Sequence, residues 1–122
     1  MSEGDIMETI VNYDTDGVTG ISYRNLENLA SSGKELEAVV IKSKSPCEVV
    51  TLFHFTDGTA YEASGFSIGY SGEGPRGLYR SMQLFVSDLP EWGEFGIFKL
   101  DSQKDWIWTN KFGEKFIQLN NF

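Results

Sequence analysis

Between residues 63 and 89 the hydrophobic pattern of this chain changes period once, and a glycine-rich turn marks the change. Ala63, Gly65, Ser67 and Gly69 alternate with bulkier neighbours, so they share one side of an extended segment. Phe66, Ile68 and Tyr70 take the other side. After the turn, Leu78, Met82, Phe85 and Leu89 follow at steps of four, three and four, which makes one apolar stripe of a helix. Pro75 suits the first turn of that helix, where no N–H is missed, and Pro90 ends it. The spacing predicts a helix over about 75–89, lying against the smooth strip of small residues.

The rest of the chain supplies a sheet for this helix. Residues 36–44 and 48–56 are apolar and rich in β-branched residues, with a break at Ser45-Pro46-Cys47. Asp57-Gly58 turns the second run into residues 59–69, so the three segments read as an antiparallel meander. Residues 94–100 and 105–109 read as paired strands, and 114–119 as a last one. Near the start, residues 5–13 and 18–23 flank Asp16-Gly17 and read as a hairpin, with a helix over 4–12 as the rival. Leu26, Leu29 and Ala30, stopped by Gly33, predict a short helix near 24–32. The expected architecture is α+β: an antiparallel sheet of about five strands, the 75–89 helix packed on one face, and the short helix beside it. The expected core is Val39, Ile41, Val50, Leu52, Phe53, Phe55, Phe66, Ile68, Leu78, Met82, Phe85, Leu89, Ile97 and Phe98.

With 122 residues, one domain spanning 1–122 is expected. At 40% hydrophobic and 14% aromatic, the chain can bury a core without staples. Its one cysteine, Cys47, excludes an internal disulfide. No apolar run is long enough to span a bilayer. The acidic start, Met1 to Asp5, is unlike a signal peptide, so the cytoplasm is the expected compartment.

The formal charge of −8 is lopsided. Residues 1–62 hold eleven acids against four bases, and residues 63–122 hold seven against six. A surface of this kind repels a nucleic-acid duplex and attracts a basic protein.

Chemistry concentrates at the turn itself. Ser71, Gly72, Glu73, Gly74, Arg76 and Gly77 lie where a helix begins, and its first amides lack intrahelical partners. Such an end favours a negative ligand. Arg76 and Arg80 share one helix face near that end, where cations oppose the dipole unless an anion joins them. Tyr70, Tyr79 and Trp92 are the aromatic candidates for stacking on a base. Gly72-x-Gly74-x-x-Gly77 has the letters of a dinucleotide fingerprint without its parallel strand–helix–strand context, and no Walker lysine follows. The rival reading makes the glycines structural and lets Glu73 neutralise the arginines.

Other constellations are thinner. Asn12 to Gly17 imitates the first half of a calcium loop, but Tyr23 stands where the bidentate Glu belongs. His54 is the single histidine and sits in an apolar strand. Trp106 and Trp108 would share one strand face, as core or as stacking platform. No spacing of nucleophile, base or metal ligands marks a catalytic centre, so no catalytic residue, metal or cofactor is assigned.

The expected function is therefore that of a small non-enzymatic binding protein. Its ligand would carry phosphate, as a nucleotide or cyclic nucleotide does, at loop 71–77, with a homodimer completing the pocket. The alternative is an acidic inhibitor or immunity-type protein that covers a basic partner with its N-terminal half. A phosphoester hydrolase or lyase using Glu73 and the arginines is the third.

Overall fold

In a computed structural model the chain is described over residues 10–111 and 113–119. The architecture is α+β, with a six-stranded mixed sheet in the order β1-β4-β3-β2-β5-β6. The strands are β1 (Ile10–Tyr13), β2 (Leu36–Ser45), β3 (Glu48–Phe55), β4 (Thr59–Ala63), β5 (Trp106–Thr109) and β6 (Ile117–Gln118). The helices are α1 (Thr19–Ser31), α2 (Glu73–Gln83) and the single turn α3 (Trp92–Phe95), followed by a 3-10 turn at Ile97–Lys99.

The central meander follows from the alternating pattern. β2 pairs with β3 and β3 with β4, all antiparallel, and Gly58 takes the left-handed conformation that the turn requires (φ 86°). A register shift between Leu36 and Ala38 lets Leu36 and Val39 both point into the core, which simple alternation would forbid. Thr51, Phe53 and Phe55 of β3 face the same way and are buried, while Leu52 and His54 lie half-buried on the opposite face.

Leu78 and Met82 of α2 and Leu26 of α1 are sealed into the inward-facing core. Phe85 joins it by tilted ring contacts with Phe53 and Phe55, at centroid distances of 6.4 and 5.4 Å. Of the expected core, Val39, Ile41, Val50, Phe53, Phe55, Phe66, Ile68, Leu78, Met82 and Ile97 are buried. Leu52, Phe85, Leu89 and Phe98 are half-buried.

Several elements differ from the expectation. β1 is the parallel strand: it runs beside β4, with Val11 opposite Ala60 and Tyr13 opposite Glu62. No hairpin forms around Asp16-Gly17, because residues 19–31 are helical. Helix α1 places Ser22 and Leu26 on one buried side, four residues apart. Residues 5–9 of the expected strand lie outside the described residues, as does most of the rival helix. Helix α2 begins two residues before Pro75 and ends at Gln83. Its last turn tightens, with Leu84 donating to Ser81 and Phe85 to Met82, so Phe85 and Leu89 reach the core from beyond the helix.

Residues 94–100 are not a strand, because Gly96 at φ 76° stops α3 and opens the 3-10 turn. β5 pairs instead with β2 and β6. Trp108 is buried at 1% exposure and belongs to the core, whereas Trp106 is half-buried and donates its indole N–H to the Asp101 carbonyl.

Tyr79 and Trp92 close the far end of α2. The Tyr79 hydroxyl donates to the Pro90 carbonyl at 2.7 Å, and its ring meets Trp92 edge-on at 5.4 Å. Tyr79→Phe should cost about 1 kcal/mol, the net worth of one partly buried hydrogen bond. Urea unfolding at pH 7 measures it, and a variant as stable as the parent would show that the bond contributes nothing.

Candidate functional site

The site begins with the strip of small residues. Gly65 takes the start of α1: its carbonyl accepts from Thr19 Oγ1 at 2.7 Å, and its N–H donates to Ser22 Oγ at 3.0 Å. The backbones come so close that a Cβ on Gly65 would stand 2.3 Å from the Val18 carbonyl oxygen. Ser67 takes the start of α2, since a Cβ on Gly74 would fall 1.9 Å from Ser67 Oγ. Gly77 then meets α1 itself, with Thr19 Cγ2 occupying the space a side chain would need. The glycines and Ser67 therefore bring the first turns of two helices together.

A groove of about 530 Å³ runs between those first turns. Thr19, Gly20 and Tyr23 of α1 form one wall. Ser71, Gly72, Glu73, Arg76, Gly77 and Arg80 form the other. The neighbouring N-termini are both uncapped: Val18 and Gly72 stand at the capping positions, and neither helix has a side-chain cap. The first backbone bonds are those of Ile21 and Ser22 to Val18 and of Arg76 to Gly72. Among the described residues, nothing accepts from the amides of Thr19, Gly20, Glu73 or Gly74. Two positive helix ends thus border one groove.

Two of the chain's three arginines line this groove. No carboxylate among the described residues lies within ion-pair distance of either, and the ion pair found there joins Lys34 and Asp57 at the β3–β4 turn. Arg80 is positioned instead by an aromatic face: its guanidinium carbon lies 5.9 Å from the Tyr23 ring centroid. Glu73 is the one acid on the wall. It sits in the first turn of α2, where its charge complements the helix end.

The sequence-predicted residues divide into two groups. Ser71, Gly72, Glu73, Arg76, Gly77 and Arg80 are brought together. Gly74 is buried beneath the helix and serves packing. Tyr70 is exposed, bonds Ser67 through its hydroxyl at 2.9 Å and folds its ring over Gly72. It borders a separate cavity of about 240 Å³ with Cys47 and Ser102. Tyr79 and Trp92 do not line the groove; Trp92 stacks on Phe98 at 5.6 Å. Sequence reasoning missed Thr19, Gly20 and Tyr23, whose only local signal was the weak helical spacing of Ser22, Leu26 and Leu29.

Beside the groove a buried polar cluster fixes α1. Asp14 Oδ2 accepts from Tyr61 at 2.5 Å and from Ser22 at 2.9 Å, while Oδ1 accepts from the Ser64 N–H at 3.0 Å and from its hydroxyl. Burial alone would raise the Asp14 pKa, but the bonds from Ser64, Tyr61 and Ser22 outweigh it and hold the carboxyl below its usual range. Asp14 therefore turns inward, away from the calcium-loop role that its position in Asn12–Gly17 suggests. Among the described residues no group of three His, Cys, Asp or Glu side chains is placed to hold a metal ion. His54 lies elsewhere, half-buried, its pKa lowered mainly by burial. Among the same residues no helix is long and apolar enough to cross a membrane. Compared with protein-family models, curated proteins and solved structures, the chain matches none of them.

Proposed function

We propose that this protein is a binding protein for a small phosphate-bearing molecule, held in the groove between α1 and α2. One observation carries the reading: two uncapped helix N-termini and two arginines without carboxylate partners among the described residues border the same cavity. A phosphate would accept from both guanidinium groups and from free first-turn amides. The volume falls within the range of small-molecule sites. One chain supplies both walls, so binding needs no second copy.

Less supports the acidic-inhibitor reading. Three of the first-half acids divide between the two ends of the β2–β3 hairpin, with Glu35 and Glu37 at one and Glu48 at the other, and Asp14 is buried.

Calorimetry with a panel of nucleotides, cyclic nucleotides included, tests the proposal. Arg76→Ala with Arg80→Ala should weaken binding by on the order of a hundredfold, at about 1.5 kcal/mol for each charge-assisted contact. Binding should also weaken as salt rises. Equal heats from parent and variant would remove the arginines from the account. If no nucleotide binds, and a basic protein is recovered at low salt, the inhibitor reading replaces this one.

A further inference from the structure

The glycines at the groove differ in what holds them: a Cβ on Gly74 would strike Ser67 and on Gly77 Thr19, whereas on Gly72 it would meet only the exposed Tyr70 ring. A Cβ on Gly20 would meet nothing within 4 Å, and Gly20 has no left-handed φ. It is exposed in the first turn of α1, where alanine is the better helix former. Neither packing nor backbone conformation asks for glycine there, and Gly20 lines the groove.

The groove is also larger than an inorganic anion needs. Arg76, Arg80 and the amides of α2 can hold a phosphate on one wall. Opposite stand Gly20, Thr19 and Tyr23, which offer contact area to an uncharged body. The Arg80 guanidinium carbon lies 5.9 Å from the Tyr23 ring centroid, so a charged and an aromatic group stand together at this wall.

We infer that the ligand is an organic phosphomonoester with a ring-bearing body the size of a nucleoside, and that Gly20 is the residue that admits this body. The inference rests on the groove being the anion site proposed above. Phosphate charge would be met by α2, and the body would lie over Gly20 on α1.

Binding of inorganic phosphate, ribose 5-phosphate and the four nucleoside 5′-monophosphates to parent, Gly20→Ala and Gly20→Leu tests this, with thermal melts of each protein. The parent should bind at least one nucleoside monophosphate about tenfold or more tighter than inorganic phosphate. Gly20→Leu should abolish that advantage by weakening nucleoside monophosphate binding more than phosphate binding, and Gly20→Ala should lie between. Gly20→Ala should melt no lower than the parent, because its Cβ meets nothing within 4 Å, and the Gly20→Leu melt establishes that this variant is folded. Nucleoside monophosphates bound no tighter than phosphate, or bound equally by parent and Gly20→Leu, overturn the inference and leave the anion site standing. A parent that binds none of the probes removes the anion site and this inference with it.

Discussion

Gly65→Ala should be among the most damaging single substitutions in this chain, at a cost of about 4 kcal/mol. The added Cβ would lie 2.3 Å from the Val18 carbonyl oxygen, 2.5 Å from its carbon and 2.7 Å from Ser22 Oγ. Two of these three atoms belong to the backbone, so no rotamer change relieves the clash. The start of α1 has to lift from the strip. Overpacking of this kind costs about 1–3 kcal/mol. The displacement also strains the Thr19 and Ser22 bonds to Gly65, worth about 1 kcal/mol each. The total is a large share of the roughly 5–15 kcal/mol that holds a typical domain.

The same substitution should open the groove, because Thr19 and Gly20 move with the helix. Urea unfolding gives the stability loss, and Gly20→Ala, expected to cost nothing, is the control. A Gly65→Ala protein within about 1 kcal/mol of the parent would mean that α1 is not seated on Gly65, since overpacking alone costs as much.

These glycines show which features the sequence could reveal. The β2–β3–β4 meander was legible because Val39, Ile41, Phe53 and Phe55 alternate, and because Asp57-Gly58 demands a turn. Helix α2 was legible from Leu78 and Met82, both fully buried. Helix α1 was obscured because the residue deepest beneath its first turn is a hydroxyl, Ser22, and hydropathy does not mark a buried serine. Its burial is tolerable only because Asp14, eight residues before it, and Gly65, 43 residues after it, satisfy it. The parallel place of β1 beside β4 is likewise tied by a long-range bond, from the Ser64 N–H to Asp14.

The candidate site was half legible for the same reason. Arg76 and Arg80 share a face four residues apart, which periodicity shows directly. The aromatic partner of Arg80, Tyr23, comes from a helix more than fifty residues upstream. Tyr79 and Trp92 look equally available in sequence, but the aromatic cluster with Phe95 and Phe98 claims them. The smooth strip was read as a seat for one helix, and the structure places the starts of two there.

Asp14→Ala should destabilise the protein by about 3–5 kcal/mol at pH 7, because several buried donors lose their charged acceptor at about 1–3 kcal/mol each. Asp14 is 8% exposed and receives four hydrogen bonds. Truncation leaves the hydroxyls of Ser22, Tyr61 and Ser64 and the Ser64 amide without their acceptor. Asp14→Asn should cost less, about 2 kcal/mol, because hydroxyls can rotate to accept from the new amide while the Ser64 N–H cannot. The pH dependence separates charge from shape. The folded pKa of Asp14 is lowered, so its contribution is complete above the unfolded value of about 3.9 and is lost as pH falls through the lower folded value. The gap between parent and Asp14→Asn should therefore hold from neutral pH down to about pH 4 and narrow below it. Tyr61 acts at the other end of the scale: burial, then its bond to Asp14, raises its pKa, so ionisation above about pH 10 favours the unfolded chain. Urea unfolding of both proteins at pH 7 and pH 3 measures the acid arm. A gap that does not narrow at pH 3 would mean that the carboxylate's charge plays no part in pinning α1, and hence the groove wall it carries, to the sheet.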